Sequence, residues 1–305
     1  MKVVDLTGGC LHPEHLAELK KYVREVLVYK NVPHVDAEIL KRVGDADIII
    51  TFLMHNSGFV ILNSSNLKLI CLGTVGYDGV DFDAAVKKGV KVSYCPGYAT
   101  NAVAEHTIGL MLNAARLSFR SIQDLKNNIY DHAKYCGKEL KGKFLAILGH
   151  GKIGSEVARI ARDGFQMQIL IYDVNSSRQD LENILKMADF ISVHLPLTIA
   201  TEKIIGSREF DLMKNGVVIV NTARGGILDE QALVKNIKSG KVFAAGLDVL
   251  EQEPMSLNDP VLKYPNICVT PHISYNSDEA IFCRSKMICE NIISFIKGKP
   301  ENIIC

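Results

Sequence analysis

Residues 144–148 read Phe-Leu-Ala-Ile-Leu and run straight into Gly149-His150-Gly151-Lys152-Ile153-Gly154, a helical stretch, a second apolar run at 168–172, and then Asp173. Few folds accept that order. Gly149 permits a tight bend, Gly151 lets the backbone approach a pyrophosphate, and Gly154 lets a helix pack closely on a strand. Phosphates then rest on the helix N-terminus, where free N–H groups and the helix dipole favour negative charge. His150, Lys152 and Ile153 lie between the glycines and are counted with the same cradle. Asp173 falls where a carboxylate accepts hydrogen bonds from an adenosine ribose and repels a 2′-phosphate. A glycine-rich turn alone often serves geometry only. With a strand before it, a helix after it and an acid closing the next strand, the segment predicts a Rossmann unit that binds NAD. Arg178, five residues past Asp173, leaves NADP as the alternative, although its plainer reading is a solvated loop charge.

The 305-residue length favours two domains, and a hydrophobic content of 48% supports sizeable cores. Thirty-five basic against thirty-four acidic residues leave a formal charge of +1, with no long run of either sign, which argues against nucleic acid and anionic membranes as partners. No uninterrupted apolar stretch reaches the ~18 residues of a spanning helix, and Met-Lys-Val-Val-Asp opens a strand rather than a signal peptide. A cytoplasmic protein is expected. Eight cysteines (10, 71, 95, 136, 268, 283, 289, 305) include no Cys-x-x-Cys pair, so reduced, mostly buried thiols and no metal are expected. His12 and His15 could face one way on a helical turn; without a further ligand at hand they read as the start of a surface helix.

Short apolar runs at 3–6, 26–29, 48–52, 67–72 and 90–94 alternate with helical stretches at 14–24, 37–42 and 82–88, which predicts a first parallel α/β domain. Residues 101–117 form a long helical stretch suited to a hinge. A second α/β run follows, with strands at 144–148, 168–172, 190–195, 217–221, 242–248 and 267–270, and the helical tail 277–296 is expected to return to the first domain. The expected fold is therefore α/β, with two doubly wound parallel sheets. A Rossmann domain (99–274) is inserted into a flavodoxin-like substrate domain (1–98 and 275–305). Ligands of such sheets bind outside the carboxyl ends of the strands, so the chemistry is sought there.

Three of those ends carry reactive side chains. Residues 217–221 lead to Thr222-Ala223-Arg224, 242–248 leads through Asp248 to Glu253, and 267–270 leads to His272. Hydride reduction of a 2-keto acid asks for this set. The developing alkoxide needs a proton from a group that titrates near neutrality, which His supplies. Carboxylate and carbonyl need a forked, permanently charged donor, which Arg supplies. A neighbouring carboxylate favours the protonated imidazole and fixes its orientation.

Through Gly149-x-Gly-x-x-Gly154, Val193-His-Leu-Pro196, Asn221-Thr-Ala-Arg-Gly225, Leu247-Asp-Val249, Glu253-Pro254 and Thr270-Pro-His272, nearly the whole chain resembles the D-2-hydroxyacid dehydrogenase family. The resemblance implies that Arg224 orients substrate, Glu253 pairs with His272, and His272 is the acid/base. It implies further that Asp248 holds the nicotinamide carboxamide, that His194 and Pro196 line the cofactor pocket, and that Thr222, Ala223 and Arg224 border the nicotinamide. Taken singly each has an ordinary alternative: a surface charge for Arg224, a loop cap for Glu253 or Asp248, an interior histidine for His272, a strand end for His194. The loop 73–81 resembles the family's carboxylate-binding loop, with Val75 and Gly76 as backbone donors; a glycine-rich turn before a helix is the alternative. Tyr98 faces either the pocket or the core, and Tyr275 stands where some relatives place an aromatic against the substrate.

The loop Met54-His-Asn-Ser-Gly58 lacks an Arg or Lys for a phosphorylated substrate, which favours lactate, glycerate or glyoxylate types. The end at Cys305 is read as leaving no room for a regulatory domain, yet 3-phosphoglycerate dehydrogenase activity stays open because shorter family members exist. An NADH-sensing scaffold like the C-terminal-binding-protein corepressors is the alternative from another class. A formate-type dehydrogenase carries Gln where Glu253 stands, which argues against it. The resemblance also implies a homodimer through the nucleotide-binding domain, with residues 101–117 near the contact.

Overall fold

A computed structural model describes residues 1–305. The chain forms two compact units, Met1–Ala99 with Asn276–Cys305, and Thr100–Tyr275. In unit one the strands β1 (Lys2–Asp5), β2 (Glu25–Val28), β3 (Ile48–Thr51), β4 (Leu69–Leu72) and β5 (Lys91–Ser93) make a parallel sheet in the order β2-β1-β3-β4-β5. Parallel strands covered on both faces need apolar side chains on both, and β3 and β4 are buried at every position. The helices α1 (Pro13–Leu19), α2 (Asp36–Val43), α3 (Gly58–Asn63) and α4 (Phe82–Lys88) supply the crossovers. Their ends obey local chemistry: the Asp81 carboxylate caps α4 through the Ala84 N–H at 2.9 Å, and Gly89 closes it in the left-handed region at φ 72°.

Unit two opens with α5 (Thr100–Arg116) and α6 (Ser118–Lys126). It continues through β6 (Phe144–Leu148), α7 (Lys152–Phe165), β7 (Gln168–Tyr172), α8 (Arg178–Met187), β8 (Phe190–Val193), α9 (Ser207–Leu212), β9 (Val217–Asn221), α10 (Glu230–Lys238), β10 (Val242–Leu247) and β11 (Ile267–Val269). All six strands are parallel, in the order β11-β10-β9-β8-β6-β7. The chain goes outward from β6 to β7 and then returns to the other side of β6, so the switch of direction, where such sheets bind ligands, falls at β6/β8. One face of the sheet packs Leu145, Ile147 and Val220 against Met111 and Val157 of α5 and α7. The other packs Ile191, Ile219 and Ala245 against Leu181, Phe210 and Leu233 of α8, α9 and α10. The last helix, α11 (Asp278–Ile296), belongs to unit one and packs on α1 and β4. No helix is long and apolar enough to cross a membrane.

The doubly wound pair of parallel sheets matches the expected fold. Several boundaries move: Leu6, Tyr29, Leu195, Asp248 and Thr270 lie just outside their ladders, and the long helix begins at Thr100 and ends at Arg116. All eight cysteines are free, five of them buried, and burial pushes the Cys10 and Cys71 thiols up to about 12. The reading of His12 and His15 needs correction. His12 does cap α1, but His15 is buried, with Nδ1 2.8 Å from Ser285 Oγ and its ring 4.7 Å from that of Phe282.

Candidate active site

The loop from β6 into α7 meets the demands its spacing implies. Gly149 sits at φ 99°, and a Cβ there would lie 2.6 Å from the His194 carbonyl oxygen. A Cβ on Gly154 would lie 2.0 Å from the Gly149 carbonyl oxygen, so α7 can approach β6 this closely only without a side chain. Gly151 opens the 14-residue α7 with no side-chain cap, and a Cβ on it would meet nothing within 4 Å. No side chain caps the first N–H groups of α7, which suits a pyrophosphate. His150 and Ile153 are partly buried at the loop and Lys152 is exposed.

Asp173 directly follows β7 and is partly buried. Its N–H donates to Ser176 Oγ at 3.0 Å and its C=O accepts from the Ser176 N–H at 2.7 Å, so the turn is fixed without the carboxylate. Arg178 is not the solvated loop charge expected of it. It is the first residue of α8, and its guanidinium pairs with Glu209, a buried carboxylate that also accepts from the Gly206 N–H at 2.9 Å. Burying a carboxylate costs less when a cation is paired with it, and Arg178 provides one for Glu209.

His194 follows β8, its N–H donating to the Leu148 C=O at 2.7 Å and its Nε2 lying 2.8 Å from Ser192 Oγ. Desolvation pushes the imidazole down from 6.5 to about 3, so it is neutral at physiological pH. Pro196 is exposed two residues on.

After β9 the buried Asn221 side chain holds the next turn from within. Its Nδ2 donates to the Arg224 C=O at 2.9 Å and its Oδ1 accepts from the Ala223 N–H at 3.0 Å. Thr222 Oγ1 lies 2.8 Å from Thr107 Oγ1, and Arg224 Nη1 donates to the Ala223 C=O at 2.7 Å. A Cβ on Gly225 would fall 1.9 Å from the Leu250 carbonyl carbon, so the Arg224 turn rests directly on the backbone that leads to Glu253.

Glu253 Oε2 lies 2.6 Å from His272 Nδ1, while Oε1 accepts from the Leu250 N–H at 3.1 Å. An ionised carboxylate only accepts, so Nδ1 carries the proton of that bond and Nε2 is left to exchange one with a ligand. His272 takes a left-handed φ of 52°, with its N–H shared between the Asp248 C=O at 2.8 Å and the Thr270 C=O at 3.0 Å. The Tyr275 ring stands edge-on, 6.2 Å from the His272 ring. Asp248 is buried and largely occupied: Oδ1 accepts from Thr270 Oγ1 at 2.6 Å and from the Ile273 N–H at 2.9 Å, and Oδ2 accepts from the Ser274 N–H at 2.8 Å. That leaves about one of its four lone-pair positions for a carboxamide. Thr270 entered the sequence reading only as part of the Thr270-Pro-His272 motif, and His106, which also joins this cluster, escaped it because its partners lie more than a hundred positions away.

Asp173, the glycine loop, His194, Arg224, Glu253 and His272 thus occupy the carboxyl edge of one sheet in strand order β7, β6, β8, β9, β10, β11. Five strand spacings separate the first from the last, ~24 Å in all. That span suits an extended dinucleotide. The remaining expected residues belong to unit one. Val75 is exposed, Gly76 accepts from Thr74 Oγ1 at 2.6 Å through its carbonyl, and Tyr98 is buried.

Residues 108–274 match the family model described as D-isomer specific 2-hydroxyacid dehydrogenase, NAD binding domain. The chain belongs to that family. It is similar to a D-3-phosphoglycerate dehydrogenase of Archaeoglobus fulgidus, 36% identical over 97% of this chain and 54% of the relative. It is also similar to a hydroxypyruvate reductase of Thermotoga maritima, 40% identical over 80% of this chain and 82% of the relative. Among solved structures, a D-lactate dehydrogenase from Aquifex aeolicus complexed with NAD and lactic acid superposes with a TM-score of 0.83 at 29% identity, covering 100% of this chain and 99% of that one. The chain spans about half the length of the phosphoglycerate dehydrogenases it matches. The unit that carries the glycine loop contains the family's NAD-binding domain.

Proposed function

We propose that this chain is an NAD-dependent oxidoreductase that interconverts a small 2-keto acid and its D-2-hydroxy acid. The observation that carries the reading is the 2.6 Å contact between Glu253 and His272 Nδ1, which leaves Nε2 for the substrate at the sheet edge that also bears Arg224. The bound nicotinamide supplies or accepts the hydride. His272 Nε2 gives its proton to the carbonyl oxygen in reduction and takes it back in oxidation, while Glu253 stabilises the imidazolium and fixes the ring. Arg224 pairs with the substrate carboxylate and polarises the carbonyl. In unit one, Val75 and Gly76 are proposed as backbone N–H donors to a substrate carboxylate and Tyr98 as a substrate contact; in unit two, Tyr275 is proposed as another. His150, Lys152, Ile153 and the three glycines cradle the pyrophosphate, His194 and Pro196 line the cofactor, and Thr222, Ala223 and Asp248 border the nicotinamide. The uncapped α7 N-terminus and the side-chain-free approach at Gly154 support that fit.

NAD is preferred over NADP because Asp173 keeps its carboxylate out of the turn's own hydrogen bonds, whereas Arg178 is held by Glu209. An unphosphorylated substrate is preferred because residues 54–58 carry no Arg or Lys and the preceding Leu53 is 48% exposed. The name of the Thermotoga relative agrees; that of the Archaeoglobus relative favours 3-phosphoglycerate as the second reading. Loss of NADH absorbance with glyoxylate, hydroxypyruvate, pyruvate and 3-phosphohydroxypyruvate, repeated with NADPH, tests the whole proposal. A phosphorylated substrate outrunning the others a hundred-fold in kcat/KM reverses the substrate reading, and no turnover with any of them removes the activity.

The protein is further proposed to act in the cytoplasm, where its thiols stay reduced, and as a homodimer through unit two. Helix α5 turns eight residues into its own unit, but α6 buries none and is followed by Tyr130 at 87% exposure, with Ile122 and Leu125 half exposed on its face. The α6 face is thus the apolar surface available for a partner copy. Ile122→Asp with Leu125→Asp is expected to halve the mass measured by sedimentation equilibrium; wild type sedimenting as a monomer rejects the dimer.

A further inference from the structure

The hydrogen bonds around Asp248 extend one residue further than the reaction requires. His106, in the second turn of α5, places Nε2 3.1 Å from Thr270 Oγ1 and 3.6 Å from Asp248 Oδ1. Thr270 Oγ1 lies 2.6 Å from the same Asp248 oxygen, and a carboxylate cannot donate, so the hydroxyl proton points at Asp248. The Thr270 oxygen is then an acceptor toward α5, and His106 presents it with an Nε2–H. The backbone of the next residues closes round the same acid, with N–H groups of His272, Ile273 and Ser274 directed in turn to the Asp248 carbonyl, Oδ1 and Oδ2. His272 holds its left-handed φ of 52° inside that turn. A β-region alternative is open to any histidine, so the wrapped turn, not the residue, selects this conformation.

We propose that His106 is a positioning residue for His272, acting through Thr270 and Asp248 to fix the turn that aims the acid/base imidazole. Helix α5 is 17 residues long and packs on β9, β10 and β11, which makes it a rigid post for a turn that otherwise hangs from strand ends. The same cluster draws on both ends of unit two, which begins at Thr100, at the head of α5, and ends at Tyr275, one residue past the turn. Without the His106 donor, the Thr270 hydroxyl loses the partner that orients it, the Asp248 carboxylate loses part of its screening, and the left-handed turn relaxes. The group that then moves is the His272 ring, whose other neighbours are the Glu253 carboxylate at 2.6 Å and the Tyr275 ring.

This inference rests on the proposed acid/base role of His272, and the experiment separates the two. His106→Leu is expected to lower kcat about ten-fold, leave the KM for NADH within about three-fold, and shift the pH limb of kcat/KM that reports the acid. His106→Gln, whose amide nitrogen replaces Nε2–H, is expected to restore most of kcat. Imidazole nitrogen chemical shifts, with His272 assigned from His272→Gln, are expected to move in His106→Leu and return in His106→Gln, whether or not turnover is measurable. Unchanged His272 ring shifts in a folded His106→Leu protein overturn the inference. So does a loss confined to NADH binding, or failure of the Gln variant to restore kcat while it restores thermal stability. Absence of activity in wild type, with the ring shifts behaving as described, overturns the functional reading and leaves the positioning network intact.

Discussion

The 2.6 Å contact of Glu253 with His272 sets the residue-scale prediction. Deleting a general acid costs about 10²–10⁴ in rate, so His272→Ala is expected to lose turnover by that factor in keto-acid reduction while still binding NADH. Glu253→Gln keeps a hydrogen-bond partner but not its charge, and is expected to lose less, mainly where the imidazole must be protonated. Stopped-flow reduction and NADH fluorescence titration measure the two effects separately. Equal turnover in wild type and His272→Ala removes the acid/base assignment. These two residues were legible because each is a reactive type placed just beyond an apolar strand. Arg178 was not: its partner Glu209 lies 31 positions away on another helix, and from sequence an isolated Arg after a strand looks solvated. Asp248 was legible as an acid at a strand end, but its three protein hydrogen bonds come from residues 22 to 26 positions later, which no local pattern reveals.

At the scale of elements, the junction of β6 and α7 depends on two missing side chains. A methyl on Gly154 would sit 2.0 Å from a backbone oxygen, so α7 must withdraw from β6, and its N-terminus with it. Gly154→Ala is expected to weaken NADH binding at least ten-fold, seen in the fluorescence titration, while the sheet persists in far-ultraviolet circular dichroism. Undiminished binding contradicts the phosphate role of this loop. The strands were legible because parallel, doubly covered strands read as unbroken apolar runs, of which Ile48-Ile-Ile and Val217-Val-Ile-Val are buried throughout. Their ends were read long at Asp248 and Thr270 because the chain there stays close to its strand while its side chains turn to other partners. Helix α6 left little mark on the pattern: it buries no residue fully, although Phe119 packs partly against the core of its own unit. Strand order was not legible from residues alone, since it depends on pairing across the sheet.

Over the whole molecule, the two units carry desolvated titratable groups that respond to acid in opposite senses. In unit two, His194 is pushed down from 6.5 to about 3 by desolvation. Between those values the unfolded chain holds a proton that the folded unit refuses, so folding loses stability as pH falls below 6.5, by up to about 1.4 kcal/mol per pH unit. The full contribution is present above 6.5, and the loss ends near 3, where both states are protonated. In unit one, burial pushes Asp5 above its usual 3.8, against the lowering effect of N–H donors from Thr7, Gly8 and Cys10. There the folded state takes the proton first, so acid favours folding through that range and the advantage is lost as pH rises through the folded value. Two units of this size need not unfold in one step, and unit two is expected to melt first below pH 6. Hydrogen exchange followed by mass spectrometry, at pH 7 and pH 5, resolves them: amides of β8 and β9 should lose protection relative to those of β3 and β4. His194→Gln, which keeps a hydrogen-bonding group beside Ser192, is expected to recover up to about 2 kcal/mol of the pH 5 deficit of unit two. The same acid loss in wild type and His194→Gln would transfer the effect to another group.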